Sequence, residues 1–211
     1  MVIFNPFDHV NKKDIKMRVA KLKKKNPKLS NEEICRLLIR KKSKWCAAAG
    51  AVTALPGAVP LLGTLVVIVG GTALDLTAMA FFLTEMILEV AAVYNRNLDL
   101  TGTSRGAVWV LVSSVGSSAA GRGFSKLTVA QLSGSTLIRL VEHALLALGI
   151  RATQKTILRV IPVIGMFIAG WVNYYTCKKV GAFVIKHYSD NPCSDAWEGE
   201  TIDVEVDVQN E

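Results

Sequence analysis

The sequence predicts an all-α fold, an apolar multi-helix bundle containing proline-broken helical hairpins. Three observations predict it. Apolar residues make up 51% of the 211 while aromatics make up 7%, so the excess is Ala, Val, Leu, Ile and Gly, a mixture suited to close helix packing. Ser30-Asn31-Glu32-Glu33 has the form of a capping box, which marks a helix start. Two long uncharged runs, 45–74 and 160–177, contain or open on prolines 56, 60 and 162.

Residues 1–13 contain Pro6 and read as irregular. Residues 14–25 read as a basic helix, because Ile15, Val19 and Leu22 fall at i, i+4 and i+7. Asn26-Pro27 ends it, since the residue before proline avoids the helical region. Residues 1–29 therefore form a basic N-terminal arm with a short amphipathic helix, and a helical bundle domain spans 30–188. Its first helix runs from the capping box through Ile34, Leu37, Leu38, Lys41 and Trp45.

The run 45–74 has thirty residues without a charge, a length that suggests a transmembrane helix. Pro56, Gly57 and Pro60 in its middle should break it. Each half is then about 14 residues, roughly 21 Å, short of the roughly 30 Å hydrocarbon core. The expected result is a hairpin, either re-entrant in a membrane or buried in the protein's own bundle. A long helix over 75–96 follows, ended by Asn95-Arg96-Asn97. Residues 106–121 are uncharged and rich in Gly, Ser and Ala, and 127–149 carry Arg139, Glu142 and His143 on a helical pattern.

The second run opens on Ile161-Pro162, and proline in a first helical turn costs little. Its 18 residues would reach roughly 27 Å. Pro162-Val163-Ile164-Gly165 repeats the pattern of Pro60-Leu61-Leu62-Gly63, so Pro162 and Gly165 are expected to shape a second hairpin. Lys178 and Lys179 should then lie at the negative end of that helix or among headgroups. Residues 189–211 form an acidic tail, expected to be disordered. Alternation of Ile202, Val204, Val206 and Val208 with acids gives a second reading, a strand added to a partner's sheet edge.

Charge is unevenly spread. Residues 1–44 carry 14 of the 25 Lys and Arg, and 195–211 carry seven acids and no base. Lys21, Lys23, Lys24, Lys25, Lys41, Lys42 and Lys44 are the candidate contacts for an anionic lipid surface, each worth on the order of 1 kcal/mol. Nucleic acid is the competing partner for a basic arm, and it is disfavoured because an apolar body follows. A membrane protein partner and an oligomer are both open. No cleavable leader is expected, since more than forty polar and basic residues precede the first long apolar run. The cytoplasmic face of a membrane is the expected location.

The helix over 75–96 places Asp75, Glu85, Glu89 and Arg96 within about an 80° arc of an otherwise apolar surface. Together with His143 they are the candidate seam for a proton, a cation or a lipid headgroup. The alternative is pairing with Arg139, Arg151, Lys155 or Arg159 on neighbouring helices. Nothing else has the form of a reactive site. The sequence lacks H-x-x-x-H, a phosphate-binding G-x-x-x-x-G-K-[ST] and any C-x-x-C, and no metal, no cofactor and no enzyme activity is expected. Cys35, Cys46, Cys177 and Cys193 read as reduced thiols, with Cys46 and Cys177 as small apolar packers.

Residues 50–99 resemble the EcsC family of bacterial proteins in the apolar hairpin with Leu55-Pro56-Gly57, in Asp75-Leu76 and in Glu85 and Glu89. The closing Tyr94 and Leu98-Asp99 extend the likeness, although Asn95 stands where that family usually has Gly. A second block runs from Ile161-Pro162-Val163-Ile164-Gly165 through Asn173 to Lys179. The resemblance implies helices and membrane association, and it names no ligand and no activity. The expected function is a membrane-associated helical protein that binds lipid or a membrane partner through its apolar hairpins. The alternatives are a pore- or channel-forming protein and a soluble bundle with an apolar lipid-binding cavity.

Overall fold

The computed structural model describes residues 10–54, 64–99, 101–115 and 162–191. Within them the chain forms five helices: α1 (Lys12–Lys25), α2 (Asn31–Ala54), α3 (Thr64–Val93), α4 (Thr101–Val115) and α5 (Pro162–Asp190). No strand occurs among the described residues. Pro56, Gly57, Pro60, His143 and residues 192–211 of the acidic tail lie outside them, while Ser189 and Asp190, read as the start of that tail, continue α5.

Local chemistry sets the helix ends. The Asn11 side chain accepts from the amides of Lys13 (3.0 Å) and Asp14 (3.2 Å) and so caps α1. The capping box closes as expected: Ser30 Oγ accepts from the Glu33 amide at 3.2 Å, and Glu33 Oε2 accepts from the Ser30 amide at 2.8 Å. At the end of α3, the Arg96 amide donates to Ala91 O and the Asn95 amide to Ala92 O, both at 3.0 Å. This is a Schellman closure, whose pivot must be left-handed. Asn95 has φ 60°, a conformation that Gly and Asn tolerate best.

Helix α3 is the centre of the fold. It touches α1, α2, α4 and α5. Leu83, Met86, Ile87, Leu88, Val90 and Val93 are each 0% exposed, and the arc between Leu88 and Val93 carries Glu85 and Glu89. A helix apolar over most of its surface must be covered over most of it. Here protein supplies that cover over 79–93, and no described helix is long and apolar enough to cross a membrane.

Several expectations need correction. The helix read as beginning at Asp75 begins at Thr64, since nothing between residues 64 and 75 breaks it. The second uncharged run is not split: Gly165 lies inside the continuous α5, with Pro162 as its first residue. A single interior glycine costs about 1 kcal/mol, too little to end a 29-residue helix. Lys178 and Lys179 therefore sit in the middle of α5, away from its negative end. Residues 12–25 are not a free arm, because Ile15 (0%) and Val19 (4%) are buried in the shared core against α3.

The closest helix pair is α2 with α5, running antiparallel through small residues. A Cβ on Gly170 would lie 3.0 Å from Ala47 O, and one on Gly50 would lie 2.4 Å from Asn173 Nδ2 and 3.0 Å from Ala169 O. Asn173 cannot yield freely, because it donates to Asp75 Oδ1 at 2.7 Å. By contrast, a Cβ on Gly106 in α4 meets nothing within 4 Å. Gly50→Ala is thus expected to destabilise by about 1–2 kcal/mol, overpacking exceeding the gain in helix propensity. Gly106→Ala should stabilise by about 0.5–1 kcal/mol. Urea denaturation of the two variants checks both signs.

Candidate functional site

Glu85 and Glu89 are one turn apart on α3, and as like charges at i, i+4 they repel. α1 delivers Arg18 and α2 delivers Lys42 to them. Arg18 Nη2 lies 2.5 Å from Glu85 Oε1 and 3.0 Å from Glu89 Oε1. Lys42 Nζ donates to Glu85 Oε2 and stands 3.4 Å from Glu89 Oε1. Each cation bridges both carboxylates, so the cluster is electrically balanced and ties three helices together.

The two acids are not equivalent. Burial opposes ionisation of Glu85, but the hydrogen bonds and charges of Lys42 and Arg18 outweigh it and hold its pKa below the usual carboxylate range. Glu89 is 2% exposed, and its burial exceeds what Lys42 and Arg18 give back, so its pKa is raised. Its Oε2 has no hydrogen-bond partner among the described residues. The linkage signs are opposite. The contribution of Glu89 is complete below its unfolded value of 4.5 and is lost as pH rises through its higher folded value. That of Glu85 is present above 4.5 and is lost as pH falls through its lower folded value. Glu89→Gln is therefore expected to gain stability relative to the natural chain as pH climbs from 4.5 toward neutrality, as guanidinium denaturation at a series of pH values will show.

The predicted seam is divided. Glu85 and Glu89 come together, whereas Asp75 lies about 15 Å away along α3, buried on Asn173 of α5. Arg96 donates to the carbonyl of Asn191 just beyond α5. His143, Arg139, Arg151, Lys155 and Arg159 lie outside the described residues. The lysines also divide. Lys42 does not reach headgroups; it is 8% exposed, because residue 42 faces α3 where two buried carboxylates require a cation. Lys23 donates to Val93 O at 2.6 Å, satisfying the end of α3. Lys21, Lys24, Lys25, Lys41 and Lys44 are exposed.

Arg18 and Asn173 were not singled out by sequence reasoning as site residues. The available signal for Arg18 was its place about 40° round α1 from Leu22, on the margin of the apolar stripe. For Asn173 it was a lone amide on the same face as Cys177 and Val180, both buried. Cys35, Cys46 and Cys177 are free and buried as small packers. Cys177 Sγ donates to Met86 Sδ at 3.7 Å, and burial pushes the Cys35 thiol up to about 12. No group of three His, Cys, Asp or Glu among the described residues is placed to hold a metal.

The exposed surfaces of α2 and α5 are graded along the helix axes. On α5, Phe167, Trp171 and Tyr175 recur every four residues and are 72%, 63% and 58% exposed, with Trp171 stacked on Tyr175 at 5.8 Å. Exposed Lys178, Lys179 and Lys186 follow. On α2 the order is reversed: exposed Arg36, Arg40, Lys41 and Lys44 precede Trp45 and Val52, which are 55% and 61% exposed. The antiparallel crossing, with Gly50 at Asn173 and Gly181 at Ile39, brings both apolar ends to one level and both basic stretches to the next. No known family model, curated protein or solved structure matches this chain.

Proposed function

We propose that the protein docks peripherally on an anionic membrane surface through one end of the α2/α5 pair, aromatic end inward. The observation that carries this is the shared level at which two antiparallel helices change from exposed aromatic and aliphatic side chains to exposed lysine and arginine. From Phe167 to Tyr175 the apolar stretch is about 12 Å deep, close to the ~5–10 Å that interfacial helices occupy. Lysine stems next to it can lie along apolar surface with their ammonium groups among phosphates.

The magnitudes suit reversible binding. Three aromatics, each about two-thirds exposed, contribute roughly 4 kcal/mol on transfer. Lys41, Lys44, Lys178 and Lys179 add about 1 kcal/mol each near an anionic surface. The sum, roughly 8 kcal/mol before orientational costs, corresponds to micromolar partitioning. The likeness to the EcsC family in residues 50–99 and 161–179 agrees with this reading, and we propose it on those residues alone.

Flotation tests it. The purified chain should rise with vesicles containing 30% phosphatidylserine in low salt, and should stay down with pure phosphatidylcholine. Raising salt to 0.5 M should release much of it, because the lysine contribution is screened. A chain that never floats with anionic vesicles in low salt contradicts the proposal.

A further inference from the structure

A second feature lies on the other side of α2. The helices α1, α2 and α3 leave a groove of about 680 Å³ directly above the charge cluster. Sites for small molecules commonly span about 300–1,000 Å³. Its walls carry Leu22, Leu37, Leu38, Trp45 and Phe82, and its rim carries the exposed Lys21, Lys25 and Lys41. Of its charged lining, Arg18 and Lys42 are balanced by Glu85 and Glu89, which leaves the three rim lysines as excess positive charge.

We propose that this groove binds one anionic single-chain amphiphile, its acyl chain against Leu22, Trp45 and Phe82 and its head among Lys21, Lys25 and Lys41. Two features point to a ligand. An apolar trough ringed by cations matches a molecule with one greasy and one negative end, and lysines are suited to a phosphate head as point charges. Independently, Glu89 Oε2 is buried in the groove lining with no partner among the described residues. Buried polar atoms are normally satisfied, and an exception asks for an explanation. A ligand head reaching the groove floor supplies the polar neighbour that this oxygen lacks. The inference rests on the membrane-surface reading for the source of the amphiphile; it shares Trp45 and Lys41 with that reading, and its test turns on Lys21 and Lys25.

The test is titration calorimetry of the full chain with lauroyl lysophosphatidic acid below its micelle concentration, beside lauroyl lysophosphatidylcholine and inorganic phosphate. The lysophosphatidic acid should bind one to one, at least tenfold more tightly than the zwitterionic lipid, and millimolar phosphate should not displace it. Lys21→Glu with Lys25→Glu, both at exposed positions, should weaken it at least tenfold. Phe167→Ser with Trp171→Ser and Tyr175→Ser should leave it unchanged while abolishing flotation, so failure of the groove and failure of the membrane face are told apart. Equal binding of both lysolipids, phosphate binding as well as the lipid, or an unaffected Lys21/Lys25 variant would each overturn the groove assignment.

Discussion

Lys42→Met is expected to destabilise the protein by about 3–5 kcal/mol, the range for removing one partner of a buried ion pair. The lysine side chain is 10% exposed and serves two carboxylates that are 11% and 2% exposed. Removing it leaves Arg18 to face both, and Arg18 is 42% exposed, so water screens much of its charge. The lost attraction is smaller than the cost of two carboxylates kept out of water with half of their cationic support. Adding Glu89→Gln to Lys42→Met should recover part of the loss, because it removes the carboxylate that burial already disfavours. Replacing Glu85 in that background should recover less, since Glu85 still has Arg18 at 2.5 Å. A thermal and urea series on the single and double variants gives the coupling directly. A Lys42→Met chain as stable as the natural one would mean that the cluster carries no strength.

Substituting Phe167, Trp171 and Tyr175 together by Ser is expected to lower partitioning onto anionic vesicles by on the order of 100- to 1,000-fold. The roughly 4 kcal/mol assigned to these rings sets that range. All three are more than half exposed, so the bundle has little need of them and the variant should unfold at nearly the same urea concentration as the natural chain. The comparison separates the two contributions, since lysine substitutions such as Lys178→Gln with Lys179→Gln should act at low salt and fade at high salt. An intact fold with unchanged partitioning would remove the aromatic end from the account.

Much of the helical framework was legible in the sequence because it depends on short-range chemistry. Asn26-Pro27, the Ser30–Glu33 capping box, Pro162 at a first turn and the stop near Asn95 are all signals read within four residues. The destination of the apolar surface was less legible. A run such as 79–93 is equally greasy whether lipid or protein surrounds it, and here α1, α2, α4 and α5 do so. The site was half legible for the same reason. The i, i+4 spacing puts Glu85 and Glu89 on one face, and their need for a cation followed at once. Which cations answer depends on how α1 and α2 cross α3, a long-range fact that turned Lys42 inward and recruited Arg18. Asp75 shares the stripe but lies far enough along the axis to meet Asn173 instead.

The most direct measurement is quenching of Trp171 fluorescence by brominated lipids, with Trp45, Trp109 and Trp197 replaced by Phe. On anionic vesicles the account predicts a blue-shifted Trp171 quenched best by bromines placed shallowly below the headgroups. A protein that binds those vesicles while Trp171 keeps its aqueous emission and escapes quenching would contradict the proposed orientation.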